Sequence, residues 1–198
     1  MVALDIEKST ETTNPEKAAN RQTMYEIFEE SLIAGGIQRS DRNLVDWGDG
    51  VLALIRPVDR APKVNLLRAT IPTLEKLLGK HNAEQDSHLR LRVAVHAGEV
   101  HRDSRGWYGE AIDVVFRLIN SKEARMTLRN NERTIALIVS SEIQHAVIRH
   151  KYFGIDPAEF YDLFSVHVHD ADYHGWLHCP YEESTPRIEF VESDHAGR

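Results

Sequence analysis

Four side chains of this 198-residue chain have the types and spacing for phosphate chemistry: Asp5, Asp49, Asp113 and Arg117. Asp5 falls within the apolar run Val2 to Ile6, and Asp49 stands between Gly48 and Gly50. Carboxylates at a strand end and a turn can share divalent cations, because hard cations take oxygen ligands and accept triphosphate as co-ligand. The backbone carbonyl of Ile6 would add a further oxygen. The segment that follows Asp5 and leads to Asn14 offers backbone N–H groups for phosphate oxygens. Taken singly, each aspartate is weak evidence, since Asp in a Gly-Asp-Gly turn is usually a turn residue. Asp113 and Arg117 are one helical turn apart and share a face. That spacing is most often a surface ion pair, but here it sits on an otherwise apolar helix that begins at Gly109.

These residues need elements to place them. Val2 to Ile6 reads as a buried strand. Asn14-Pro15-Glu16 is a helix start with Asn14 as cap; Met24, Ile27, Phe28 and Leu32 recur at helical spacing, and Gly35-Gly36 ends it. Asn43 to Trp47, Gly48-Asp49-Gly50 and Val51 to Arg56 read as strand, tight turn and strand. A second helix spans Ala61 to about Lys80, with a kink or break expected at Pro72. Leu89 to Ala97 alternates as a half-buried strand and turns at Gly98 into a partner strand through Val100. Gly109 to Asn120 is a third helix with Ile112, Val115, Phe116 and Ile119 inward. A short polar helix over Glu123 to Asn130 follows, then a strand over Thr134 to Val139. A helix capped by Ser140 or Ser141 runs to Arg149, and Pro157 to Phe160 makes one helical turn. Asp162 to His169 and Tyr173 to His178 form a closing hairpin.

The order β-α-β-β-α-β with later additions is an α+β, ferredoxin-like split βαβ pattern with C-terminal α/β additions. In such a sheet the first strand packs beside the central hairpin, which makes Asp5 and Asp49 neighbours. Residues 1–180 read as one domain and 181–198 as a polar tail, poorly ordered from about Glu182.

Bulk properties narrow the chemistry further. A net charge of -7 excludes a general electrostatic footprint for nucleic acid or membrane. An acidic protein that binds a triphosphate needs metal ions to offset the charge. No segment reaches the roughly 20 apolar residues of a membrane span. The single cysteine, Cys179, permits no internal disulfide and fits a reducing cytoplasm; it reads as a small residue of a late strand, not as a reactive thiol. The N-terminus lacks the pattern of a signal peptide. The eleven histidines are scattered without a recognised zinc-ligand spacing.

The motifs, taken in order, resemble the catalytic domain of class III nucleotidyl cyclases, the adenylate and guanylate cyclase fold. Val2-Ala3-Leu4-Asp5-Ile6-Glu7-Lys8-Ser9-Thr10 is similar to that family's first-strand motif, and Trp47-Gly48-Asp49-Gly50-Val51-Leu52-Ala53 to its hairpin. Leu91 to Val100 resembles its Arg-x-x-Ile-His-x-Gly strand, and Gly109 to Leu118 its helix of transition-state residues. The match covers most of residues 2–178. The resemblance implies a head-to-tail homodimer with active sites at the interface. Asp5, Asp49 and the Ile6 carbonyl would bind two Mg2+ or Mn2+ ions, and Arg117 of the partner chain would stabilise charge on the α-phosphate. The implied product is a 3',5'-cyclic nucleotide second messenger.

The chain also departs from that family. Asp113 stands where Asn is usual, so an ionised group would only accept hydrogen bonds; it would accept from the ribose hydroxyl or pair with Arg117. The purine-reading Lys and Asp fall at Val45 and Gly106, which cannot make those contacts. Asp46, Trp47, Trp107 and Tyr108 are candidates for a different, narrower base pocket. This favours a pyrimidine nucleotide, UTP or CTP, and resembles the bacterial pyrimidine cyclases of phage-defence systems. His169 falls where a triphosphate-binding Lys is usual, and it reads equally as a solvent-facing strand histidine. Two rival readings stand beside an active cyclase: a catalytically degenerate cyclase-like domain that binds nucleotide or a partner, and an unrelated ferredoxin-like binding module.

Overall fold

The computed structural model describes residues 1–130 and 132–179. The strands are β1 (Val2–Ile6), β2 (Arg42–Asp46), β3 (Gly50–Ile55), β4 (Leu91–Val95), β5 (His101–Arg102), β6 (Trp107–Tyr108), β7 (Ile135–Ser140), β8 (Phe160–Val168) and β9 (Ala171–His178). The helices are α1 (Asn14–Ala34), α2 (Ile71–Ala83), α3 (Glu110–Ile119), α4 (Lys122–Arg129) and α5 (Ser141–Ala146). Seven strands form one sheet in the order β2-β3-β1-β4-β7-β9-β8, and β5 and β6 form a separate ribbon.

The first four strands of the sheet are antiparallel in the order β2-β3-β1-β4. With α1 and α2 as crossovers, this is the split βαβ arrangement expected from the element order. β7 then pairs parallel to β4, and the β8–β9 hairpin extends the sheet through β9.

Strand residues alternate between faces, and the two faces are covered differently. Val2, Leu4, Leu91, Val93 and Val95 pack with Met24, Phe28 and Leu32 of α1 and Ile71, Leu74 and Leu78 of α2. Ala3, Leu52, Leu54, Ala94 and Ile138 pack with Val114, Val115, Leu118 and Ile119 of α3. Asp5 and Arg92 occupy alternate positions to the first set, so both belong to the α3 face.

Several expectations need correction. α1 is capped by Thr13, not Asn14: a capping box joins Thr13 and Glu16, and Pro15 takes the first turn. The second helix does not begin at Ala61, which lies in a bend, but its interruption near Pro72 is as expected: a π-helical turn at Leu66–Thr70 precedes α2. Pro72 lacks the N–H that a continuous helix would need there, and lies in the first turn of α2 where none is required. β4 is not half-buried; Ala94 and His96 are buried as well, because helices cover both faces. No strand runs back beside it through Val100. β4 pairs with β1 and β7, and the chain beyond Gly98 enters the β5–β6 ribbon. In α3 the buried set is Ala111, Val114, Val115, Leu118 and Ile119, whereas Ile112 and Phe116 are half-buried. The expected tail, residues 181–198, lies outside the described residues.

Candidate functional site

Asp5 and Asp49 meet where β1 ends against the β2–β3 turn. Asp5 is paired with Gly50 in the β1–β3 ladder. The Ile6 N–H donates to the Asp49 carbonyl at 3.1 Å, so the turn is stitched to the strand end. Trp47 N–H donates to the Gly50 carbonyl at 3.2 Å, which closes the turn, and Gly48 supplies a φ of +102°. The Ser9 hydroxyl donates to Asp49 Oδ2. Ser9 comes from the short 3-10 turn Ser9–Glu11 that follows β1. Two hard oxygen donors brought together in this way suit a divalent cation with phosphate oxygens as further ligands. Among the described residues, no group of three or more His, Cys, Asp or Glu side chains forms a metal cluster. A cation here would need backbone or ligand oxygens, such as the Ile6 carbonyl, beside the two carboxylates.

Asp5 is almost fully enclosed, and Arg92 of β4, its ladder partner, forms an ion pair with it. Burial pushes the Asp5 carboxyl up to about 6 from 3.8; Arg92 opposes that shift and the Asp49 charge adds to it. The motif containing Arg92 was visible in the sequence, but its role against Asp5 was not. What could have revealed it is the face: in a strand covered on both sides, a charged residue on the α3 face needs a partner on that face.

α3 starts at Gly109, which has a φ of +140°. Asp113 and Arg117 lie on its exposed face. Asp113 approaches His169 Nε2 at 3.6 Å across the surface. His169 stands in the β8–β9 turn with a φ of +52°. Two expected site residues, Asp113 and His169, are therefore brought together, although far apart in sequence.

The base-pocket candidates separate into two groups. Val45 and Trp47 lie with the α3 face, where the Trp47 ring sits 4.0 Å from that of Phe116. Gly106 and Tyr108 belong to the β5–β6 ribbon, with Tyr108 exposed. Asp103 Oδ1 accepts from the N–H of Arg105 and of Gly106, which shapes the ribbon's turn. Arg102 stacks over Trp107 at 5.3 Å. Asp46 is committed elsewhere: it accepts from Arg21 and Tyr25 of α1 and from the Gly48 N–H. An open surface groove of about 710 Å³ runs along α1, lined by Arg21, Tyr25, Glu29 and Ile33 among others. None of its lining residues comes from the Asp5 or Asp49 segments.

A crystal structure of the adenylyl cyclase CyaB from P. aeruginosa superposes on this fold with a TM-score of 0.59. The match covers 93% of this chain and 95% of that one, at 11% sequence identity. The chain has a nucleotide cyclase-like fold. No family model matches the sequence. No curated protein matches it either. Among the described residues no helix is long and apolar enough to cross a membrane.

Proposed function

We propose that this chain is a metal-dependent nucleotidyl cyclase that converts a ribonucleoside triphosphate into a 3',5'-cyclic nucleotide and pyrophosphate. The observation that carries this reading is the junction of Asp5 and Asp49 at the β1 end and the β2–β3 turn, within a cyclase-like fold. The class III assignment rests on the four motifs in order, and residues 1–180 are taken as the catalytic unit.

In the reaction the ribose 3'-oxygen attacks the α-phosphorus, its proton passes to solvent water, and the bond to pyrophosphate breaks in line. Asp5, Asp49 and the Ile6 carbonyl would hold two Mg2+ or Mn2+ ions, which when bound would offset the triphosphate charge and acidify the 3'-hydroxyl. Ser9 steadies Asp49 through its hydroxyl. Arg117 is exposed on α3, as a residue serving the site of a second copy must be, and it stabilises charge on the α-phosphate. Asp113 accepts from the ribose hydroxyl, and His169 beside it faces the triphosphate. The homodimer is therefore part of the proposal.

The base is a pyrimidine, UTP or CTP. The reading rests on the absence of a purine-reading pair at Val45 and Gly106 and on two large aromatics, Trp47, packed against Phe116, and Tyr108 of the β5–β6 ribbon, as candidates for a narrower base site. Such a product would serve as a second messenger in antiviral signalling, in a soluble cytoplasmic setting. Purified protein incubated with Mn2+ and each of the four ribonucleoside triphosphates should form cyclic product from UTP or CTP. Turnover of ATP alone would refute the pyrimidine assignment.

One observation favours a second reading. Arg92 already engages Asp5, and Asp113 is beside His169, so a catalytically degenerate domain that binds nucleotide without turning it over would show the same contacts. Metal-dependent triphosphate binding with no cyclic product would select that reading.

A further inference from the structure

Phe153 is the most exposed large hydrophobic side chain among the described residues, at 93%, and its neighbour Tyr152 is 46% exposed. A built turn holds them out. The Ile155 N–H donates to the Tyr152 carbonyl at 2.9 Å, closing four residues with Phe153 at the corner and Gly154 at a φ of +82°. The Lys151 N–H donates to the Ile148 carbonyl at 3.0 Å, and Ile148 and Ile155 anchor the two sides of the turn in the core. A phenyl ring fixed in water forgoes burial that a partner surface can supply.

The charges around the turn say which partner. Arg149, His150 and Lys151 lead into it and are exposed. Arg68 lies beside Gly154, its Cγ 3.8 Å from the place a Cβ there would take. Arg149 contacts His150 Nε2 at 3.4 Å and Arg68 contacts Asn65 Oδ1 at 3.5 Å, and neither contact takes up the charge. The acids that follow the turn are engaged: Asp156 accepts from the Ala158 N–H at 2.9 Å, and Glu159 Oε2 lies 3.3 Å from His178 Nε2. Cations around an exposed aromatic are thus a local exception in a chain of net charge -7. A cationic rim suits anionic headgroups, and an aromatic tip suits the interface beneath them.

We propose that the turn at 149–154 docks this protein reversibly on an anionic lipid surface, with Phe153 inserted and Arg68, Arg149 and Lys151 against the headgroups. The overall charge opposes any wider attraction, which confines the contact to this turn. Ile148 and Ile155 pack on the α1 and α2 side of the sheet, so docking leaves the α3 face, with Asp113 and Arg117, open. The proposal does not depend on the cyclase reading.

Co-sedimentation with vesicles of phosphatidylcholine, alone or mixed equally with phosphatidylglycerol, tests this. Wild-type protein should partition onto the mixed vesicles at least about tenfold more strongly, and release in roughly 1 M salt, where screening cuts in at about 3 Å. Phe153→Ser should weaken partitioning by about tenfold, the loss of one buried ring. Joint Arg149→Gln and Lys151→Gln substitution should weaken it at least as much. All three positions are exposed, so the melting temperatures should match wild type. Absence of wild-type binding, equal binding to both vesicles, or an unchanged Phe153→Ser protein overturns the proposal. Loss of a wild-type dimer in Phe153→Ser, without vesicle binding by either protein, would assign the turn to a second copy instead.

Discussion

At the residue scale, the account turns on side chains that hold the two aspartates. Asp49 receives the Ser9 hydroxyl, and Asp5 receives Arg92. Groups that orient a ligand carboxylate commonly matter by 10- to 100-fold in metal affinity. Ser9→Ala should therefore weaken Mn2+ binding by about tenfold, read by dialysis, while the melting temperature stays close to wild type. Unchanged affinity would mean that Asp49 needs no orienting partner. Arg117→Ala addresses the chemistry instead. Its kcat should fall about 10³-fold with little change in KM, the pattern of an interaction made only in the transition state. Equal kcat would remove Arg117 from the mechanism. The aspartates were legible in the sequence because turn glycines and an apolar strand mark their surroundings. Arg92 was not, because alternation along β4 assigns it to a face without saying what that face meets. Asp113 was legible as a departure, but its proximity to His169 depends on where the β8–β9 turn lands, which no local pattern encodes.

At the element scale, the β2–β3 turn is built around a close approach. A side chain added at Gly50 would lie 1.8 Å from the Trp47 indole nitrogen and 2.4 Å from the Leu4 carbonyl oxygen. Gly50→Ala should thus displace Trp47 and press on β1 beside Asp5. The cost should be about 1–3 kcal/mol in urea unfolding, the usual range for overpacking. Trp fluorescence should shift as the indole leaves Phe116, and an unshifted spectrum would contradict the packing described. A second device joins β4, β7 and α5. His96 follows β4 and is buried; its Nδ1 lies 2.8 Å from Ser140 Oγ and 3.1 Å from Glu142 Oε2. The Glu142 carboxyl is drawn down to about 2 from its ordinary 4.5, chiefly by hydrogen bonding with His96 and against the effect of burial. A carboxyl shifted down favours the folded state above its ordinary pKa and loses that advantage as pH falls toward its folded value. Glu142→Gln should accordingly be less stable than wild type at pH 6, and the gap should narrow from pH 4.5 downward. Glu142 is 39% exposed. Solvent screening therefore limits the gap to about 1 kcal/mol or less. A gap independent of pH would show that charge plays no part. The end of α1 was legible because Gly35 marks it, whereas its cap was placed one residue late, at Asn14 instead of Thr13. The missing partner for β4 was misread because the chain after Gly98 looks like a hairpin, whereas both edges of β4 were already taken by β1 and β7.

At the scale of the whole molecule, the order of the first four strands was recoverable from the succession of elements. The addition of β7, β9 and β8 was not, because parallel pairing of β4 with β7 joins segments whose local patterns say only that they are buried. The exposed face of α3 raises a prediction about assembly. If Asp5 and Asp49 come from one chain and Arg117 from its partner, two inactive variants should rescue each other. Equal amounts of Asp49→Ala and Arg117→Ala proteins, mixed and allowed to exchange, should recover about a quarter of wild-type activity, because about half of the dimers are mixed and each carries one intact site. No recovery, from dimers shown to exchange, would place all three residues in one chain. The central claim is tested most directly by quantifying cyclic nucleotide and pyrophosphate released from a pyrimidine ribonucleoside triphosphate in the presence of Mn2+. Wild-type protein should release the two in equal amounts, and both should vanish with chelator and in Asp49→Ala. Equal product from the Asp49→Ala protein would contradict the metal site on which the mechanism is built.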